Sequence, residues 1–238
     1  MPSGFPGFPA QALEFLGALE ENNRREWFEP RKHIYEEQVR APMLELVAAL
    51  NARMSSFAPD FVREPERAVY RIYRDLRFSP DKTPYKTHIA AVFTRRGFEK
   101  HAGAGYYFSV SPTEIEVAGG VYMPSPEELR AIRLHIIENH AEFNRILDRP
   151  ALHKTMGVLQ GEELCRVPKG FPGDHPATSL VRHKQWLLWR MLDPALATTP
   201  KLFVEILTRF RALAPFIDFL NAPLGNLRRK PDPRAFLN

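Results

Sequence analysis

Between Ala68 and Tyr122 the apolar residues change their spacing, and that change limits the fold more than any other feature of the chain. On either side they recur every three or four residues, which places them on one helix face. Inside the interval they form short alternating runs, over 69–78, 87–95, 105–110 and 114–122, as strands do. Ser111, Pro112 and Thr113 separate the last two runs and read as a hairpin turn. Ile115, Val117 and Val121 mark one buried face, and Gly119-Gly120 marks a bulge or a close backbone approach. Residues 184–192 read as either a strand or a buried helix turn, with the strand favoured. Helices, then strands, then helices make an α+β arrangement rather than an alternating α/β one. The expectation is an antiparallel sheet of about four to six strands flanked by N-terminal and C-terminal helices. No linker-like break interrupts 1–238, so a single domain is expected, with a basic, proline-bearing tail over 226–238.

The helices announce their ends. Pro9 suits a first turn, where its missing N–H is not needed, and Ala12, Phe15, Leu16 and Leu19 follow at helical spacing. Asn22 and Asn23 tolerate the left-handed conformation that ends helices. A second helix over 30–54 carries Tyr35, Val39, Met43, Leu46 and Leu50, and Pro42 should kink or divide it. Ser125-Pro126-Glu127-Glu128 spells a capping box ahead of Leu129, Ile132, Ile136 and Ile137. A shorter helix is expected over 141–147, then a structured Gly/Pro loop over 157–178. Pro200 opens a last helix bearing Phe203, Ile206, Leu207 and Phe210; Pro215 should break it before 216–220 resume.

Composition removes several classes. At 44% hydrophobic and 26% charged the chain is not mainly disordered. Cys165 is the lone cysteine, which excludes an intrachain disulfide and a cysteine-built zinc site. Its apolar neighbours Leu164 and Val167 imply a small buried residue, and a reducing cytoplasm fits. Glu14, Glu20 and Glu21 interrupt the N-terminal apolar residues, so no secretory signal is read there, and no run reaches membrane-spanning length. His135 and His140 are poorly spaced to share a helix face, so no metal site is assigned. No phosphate-binding loop, dinucleotide fingerprint or nucleophile elbow identifies a cofactor or a serine nucleophile.

The chemistry concentrates in "RIYRDLRFSPDKTPYKTH", residues 71–88. Read as a strand over 69–78, one face carries Tyr70, Ile72, Arg74, Leu76 and Phe78 and the other Arg71, Tyr73, Asp75 and Arg77. A buried, unpaired guanidinium costs several kcal/mol, so Arg74 needs an acid or a ligand. Arginine's planar fork grips carboxylates and phosphates two bonds at a time, each worth roughly 1.5–3 kcal/mol. Pro80 and Pro84 pre-set the following loop, which lowers the entropy lost on binding. The segment's cations outnumber its acids, and a net charge of +5 favours anionic partners.

A small anionic, phosphate-bearing ligand is therefore expected, clamped by Arg71, Arg74 and Arg77 with Lys82 and Lys86 at the rim. If a reaction follows, His88 or Asp75 transfers protons and Tyr85 or Tyr73 orients the ligand. Two other readings stay open. One is a nucleic-acid module using the same strand, Lys184 and the tail cations Arg228, Arg229, Lys230 and Arg234, with Tyr106, Tyr107 and Phe108 available for stacking, although core positions suit those rings better. The other is a protein-interaction domain whose arginines are paired internally. Asn23, Arg25 and the loop residues Lys169, Asp174 and His175 are secondary candidates, best explained by capping and turn chemistry. Trp27 and Phe28 read as core.

The same segment resembles the signature of an uncharacterised bacterial and fungal family, a conserved hypothetical protein filed as a domain of unknown function. "ALEFLGALEENNRREWFEPRKHIYEE", "GYYFSVSPTEIEVAGGVYMPSPEELRAIR" and "VPKGFPGDHP" extend the resemblance, in order, over nearly the whole chain. The family's central loop reads serine–lysine–aspartate, and Pro80 here takes the lysine position, removing one cation. The resemblance implies one full-length domain and no particular reaction.

Overall fold

The computed structural model describes residues 4–77, 81–98 and 102–225. Four strands, β1 (Ile89–Thr94), β2 (Gly105–Val110), β3 (Ile115–Val121) and β4 (Trp186–Leu192), hydrogen-bond in the order β1-β2-β3-β4 as an antiparallel sheet. Helices precede and follow them along the chain, which gives the expected α+β fold. The β2–β3 hairpin turns at Ser111, whose hydroxyl accepts the N–H groups of Thr113 (3.3 Å) and Glu114 (3.0 Å).

By backbone proximity the chain divides into two compact units. One comprises Met1–Phe93, Tyr107–Val117 and Arg190–Arg211, and the other Thr94–Tyr106, Ala118–Trp189 and Ala212–Asn238. In the first, helix Ala10–Glu21 buries Ala12, Phe15, Leu16 and Leu19. Asn22 ends it at φ −127°, not in the left-handed conformation expected from sequence; its side-chain amide instead donates to the Ala18 carbonyl (2.9 Å). Pro42 leaves its mark one turn early. A wide π-helical turn over Tyr35–Arg40 precedes helix Ala41–Met54, and its looser hydrogen bonding accommodates the ring and the missing donor. All five residues of the expected stripe, Tyr35 to Leu50, are buried. Phe93, Phe108 and Phe210 form a second cluster, with ring centroids 5.5–6.4 Å apart.

In the second unit the capping box forms as read: Glu128 N–H donates to Ser125 Oγ (3.2 Å) and Ser125 N–H to Glu128 Oε2 (2.9 Å). Helix Pro126–Glu138 then buries Ile132 and Ile136. The close approach expected at the glycine pair is present. Gly120 sits at φ +129°, and a Cβ there would lie 2.0 Å from the Trp186 carbonyl oxygen. Phe143 stacks on Phe219 at 4.6 Å.

Two other expectations fail. Helix Lys201–Asn221 runs unbroken through Pro215. An interior proline costs about 3 kcal/mol, and Leu213, Phe216, Ile217 and Leu220, buried around it at about 1.5–3 kcal/mol each, outweigh that. Cys165 is exposed, not buried as expected; it follows a loop segment bridged at Gln160–Leu187 and Glu163–His183, and apolar neighbours in sequence do not by themselves bury a loop residue.

Candidate functional site

The segment expected as a regular strand over 69–78 is a broken ladder. It pairs with the branch leading into β1 at two points, Val69 opposite Ala91 and Tyr73 opposite Tyr85. Tyr70 N–H donates to the Ala90 carbonyl (2.9 Å), Lys86 N–H to Ile72 (2.8 Å) and Arg74 N–H to Pro84 (2.9 Å). From Tyr70 to Ile72 one branch advances two residues while the other advances four, from Ala90 to Lys86. Thr87 and His88 take up the excess as a bulge, and Pro84 has no N–H to donate. These two features deny the segment a regular ladder. The alternation persists without it: Ile72 is buried, whereas Arg71, Tyr73, Asp75 and Arg77 are exposed. Phe78, Ser79 and Pro80 lie outside the described residues.

The loop is fastened to the first helix by one side chain. Asn23 Nδ2 donates to the Tyr85 carbonyl (2.9 Å), and Tyr85 N–H donates to Asn23 Oδ1 (3.0 Å). A single amide thus pairs with both backbone groups of one residue, as a neighbouring strand would. Tyr85 is 1% exposed and stacks on Phe28 at 4.1 Å.

Two of the three arginines expected in the clamp have acid partners. Arg77 forks onto Asp75, Nε to Oδ1 at 3.0 Å and Nη2 to Oδ2 at 2.7 Å. Those guanidinium bonds, joined by the Arg77 backbone N–H, hold the Asp75 carboxyl well below its usual range, so it stays ionised at neutral pH. Arg74 pairs with Asp81 and donates to Thr83 Oγ1 (2.7 Å). The Thr83 backbone N–H, then its hydroxyl, then Arg74 pull the Asp81 pKa down to about 2.

Lys86 differs. Its Nζ donates to the Arg71 carbonyl (3.3 Å) and sits 4.7 Å from the centre of the Tyr70 ring. Among the described residues neither Lys86 nor Arg71 forms an ion pair with a carboxylate, although the Arg71 charge helps to lower the Asp75 carboxyl. Burial first, then the Arg71 and Arg74 charges, push the Lys86 amine below its ordinary pKa. His88 is half-buried, and burial, Lys86 and Arg74 lower its pKa against an opposing pull from Glu114. Neither ring nitrogen of His88 has a hydrogen-bond partner among the described residues. Burial, then Glu29, raises the Tyr85 phenol, which stays protonated.

These groups border a cleft of about 570 Å³. Arg74, Asp75, Tyr85, Lys86 and His88 line it, as do Asp81, Glu20, Asn23, Thr83 and Thr87. Of the residues expected from sequence, Arg71, Arg77 and Lys82 are not on its wall. Lys82 is exposed, with its Nζ on the Leu76 carbonyl (3.0 Å). Asn23, a secondary candidate assigned mainly to capping, does reach the wall, and the bulge that brings Thr87 and His88 to it has no signature in composition.

The other candidates have structural occupations. Tyr106 and Phe108 are fully buried, and Tyr107 is half-buried against Tyr70. Lys184 pairs with Glu162 (3.0 Å), and the tail cations Arg228, Arg229, Lys230 and Arg234 lie outside the described residues. His175 Nδ1 accepts the Ala177 N–H (3.1 Å), which is turn chemistry. Phe28 is core and Trp27 half-buried, with Arg31 over its ring. Among the described residues no group of three or more His, Cys, Asp or Glu is arranged to hold a metal, and no helix is long and apolar enough to cross a membrane.

Residues 11–219 match the family model described as "Conserved hypothetical protein (DUF2461)". The chain belongs to this family. The match takes in the whole candidate site, from Glu20 to His88, together with all four strands of this DUF2461 member. No curated protein matches the chain. The family description names no reaction, and the functional reading rests on the chemistry of the cleft.

Proposed function

We propose that the cleft binds a small anionic, phosphate-bearing ligand in a cytoplasmic setting. The observation that carries this reading is Lys86: a half-buried ammonium beside two guanidinium groups, with no acid of its own among the described residues. Like charges held together in a partly desolvated cleft repel, and a bound anion turns that repulsion into attraction. Lys86 supplies the charge on the wall, and Arg71, behind it, adds to the field. Arg74, already oriented by Asp81 and Thr83, adds donor capacity, and the Thr87 hydroxyl adds a neutral bond. His88, lowered by burial and by the Lys86 charge, is the group left to exchange a proton, since Asp75 is committed to Arg77. Arg77 and Lys82 act at most as distant charges.

The Asp75–Arg77 and Asp81–Arg74 pairs favour a second reading, in which the segment is an internally satisfied network on a protein-interaction domain. One screen separates the two. Inorganic phosphate, nucleotides and sugar phosphates are added to wild type and to Lys86→Met, and thermal unfolding is followed. A bound ligand at one hundred times its Kd stabilises by about 2.7 kcal/mol. Stabilisation of wild type that Lys86→Met lacks supports the anion site, and equal responses, or none, favour the network.

A further inference from the structure

Lys86 is the only lysine among the described residues that is not exposed. Its Nζ is held in place from two sides, by the Arg71 carbonyl and the Tyr70 ring face, and it shares the cleft with His88, whose ring nitrogens are uncommitted. An amine kept out of water beside other cations loses the preference for its charged form, and a neutral lysine amine is a nucleophile toward carbonyl carbon. We propose that Lys86 forms a reversible imine with a small aldehyde or ketone that also carries a phosphate group. The proposal rests on the anion-site reading, because the phosphate is what Arg74 on the cleft wall would hold, with Arg71 adding charge from behind, while the carbonyl meets Nζ.

The step balances without any redox partner. The Nζ lone pair adds to the carbonyl carbon, the C=O π pair moves onto oxygen, and one Nζ proton passes to that oxygen to give a carbinolamine. His88 in its protonated form then gives a proton to the hydroxyl, which leaves as water. The nitrogen lone pair closes the C=N bond, and the remaining Nζ proton returns to the imidazole. One water leaves for each imine formed, and nothing is oxidised or reduced. Lys86 is the reacting group here and His88 the proton carrier, two residues along the same bulged segment. The charged groups facing Nζ, Arg71 and Arg74, and the acids further along the wall, Glu20, Asp75 and Asp81, set the field in which it titrates.

The probe is pyridoxal 5′-phosphate, an aldehyde and a phosphate in one molecule, trapped by borohydride, whose hydride reduces the imine carbon to a stable secondary amine. Peptide mass spectrometry then locates the adduct. Lys86 is expected to be modified about tenfold ahead of the exposed lysines Lys82 and Lys184, from desolvation and anchoring together. Pyridoxal without the phosphate is expected to lose most of that preference, excess inorganic phosphate to suppress it, and Lys86→Arg, which keeps the charge, to abolish the adduct. Modification spread evenly over Lys82, Lys184 and Lys86 overturns the proposal. Phosphate that stabilises wild type without a preferred adduct at Lys86 overturns the imine alone and leaves the anion site standing. An adduct at Lys86 indifferent to phosphate overturns the anchoring role instead.

Discussion

Replacing Asn23 with alanine tests whether one side chain holds the cleft wall in place. The substitution removes two hydrogen bonds, from Asn23 Nδ2 to the Tyr85 carbonyl (2.9 Å) and from Tyr85 N–H to Asn23 Oδ1 (3.0 Å). Each is worth about 1 kcal/mol net, and a buried backbone group left without a partner adds about 1–3 kcal/mol. Tyr85 is buried, so water reaches the orphaned N–H and carbonyl only if the loop shifts. The expected loss is about 2–4 kcal/mol, or about 5–15 °C in Tm for a chain of this size. Urea titration gives the energy, and hydrogen exchange at the Tyr85 amide gives its location. Asn221 is the internal standard, because its amide makes the same pair of bonds to Ala104, N–H to Oδ1 at 2.9 Å and Nδ2 to the carbonyl at 3.0 Å, fully buried. Asn221→Ala should cost at least as much. An Asn23→Ala protein within about 0.5 kcal/mol of wild type, with Tyr85 exchange unchanged, refutes the clip.

Three further outcomes are expected. Lys86→Met should keep or raise the stability of the ligand-free protein at neutral pH, by up to about 1 kcal/mol, because a depressed lysine pKa means that the charged form is penalised on folding. That penalty is complete below the folded pKa and fades as pH rises toward the ordinary lysine range, so urea midpoints of wild type should approach those of the variant in alkali. His88 is also depressed, so its contribution to stability is full above the unfolded histidine pKa of about 6.5 and falls as pH drops from there through the folded value. His88→Gln should flatten its share of that acid slope and leave the shares of His135 and His183, which burial also lowers. Gly120→Ala should cost at least about 2 kcal/mol, since its Cβ meets a backbone carbonyl at 2.0 Å, whereas Gly170→Ala, at φ +89° in open space, should show only the backbone strain of about 1 kcal/mol. Equal midpoints for the two glycine variants would refute the close approach.

What the sequence discloses is what depends on neighbours in the chain. The capping box at Ser125, the hairpin at Ser111 and the buried stripe from Tyr35 to Leu50 are all settled within a few residues. The pairing of Asp75 with Arg77 is equally local, because alternation puts residues two apart on the same side, although from sequence Arg77 is expected in the clamp and Asp75 in proton transfer. The failures come from distant groups. Pro215 is tolerated because buried side chains around it outweigh a local cost, and propensity alone does not weigh that. The segment 69–77 alternates like a strand and buries Ile72 like one, but its hydrogen bonds depend on where Pro84, Thr87 and His88 fall on the opposite branch. The cation cluster was visible, but which cations would be neutralised was not. Arg74 meets Asp81 only once the loop has closed.

On the proposed anion-site reading, that difference decides how the cleft would work. A cluster whose every cation was matched by an acid would be stable and indifferent to anions. One with no matches would repel itself apart. Here two arginines are neutralised by acids of the same hairpin, which fixes the backbone, while Lys86 and Arg71 form no ion pair among the described residues. The rigid part is supplied by Asp75, Asp81 and the Asn23 clip, and the charge left over stands on the segment they hold. If the hairpin acids serve as scaffold, Asp81→Asn should weaken phosphate binding despite making the cleft more positive, because Arg74 loses its orientation and the loop its turn. A simple charge-count view predicts tighter binding instead. Phosphate titration of Asp81→Asn by calorimetry at low salt distinguishes them by sign, and a gain in affinity would show that net charge rather than a pre-set hairpin governs the site.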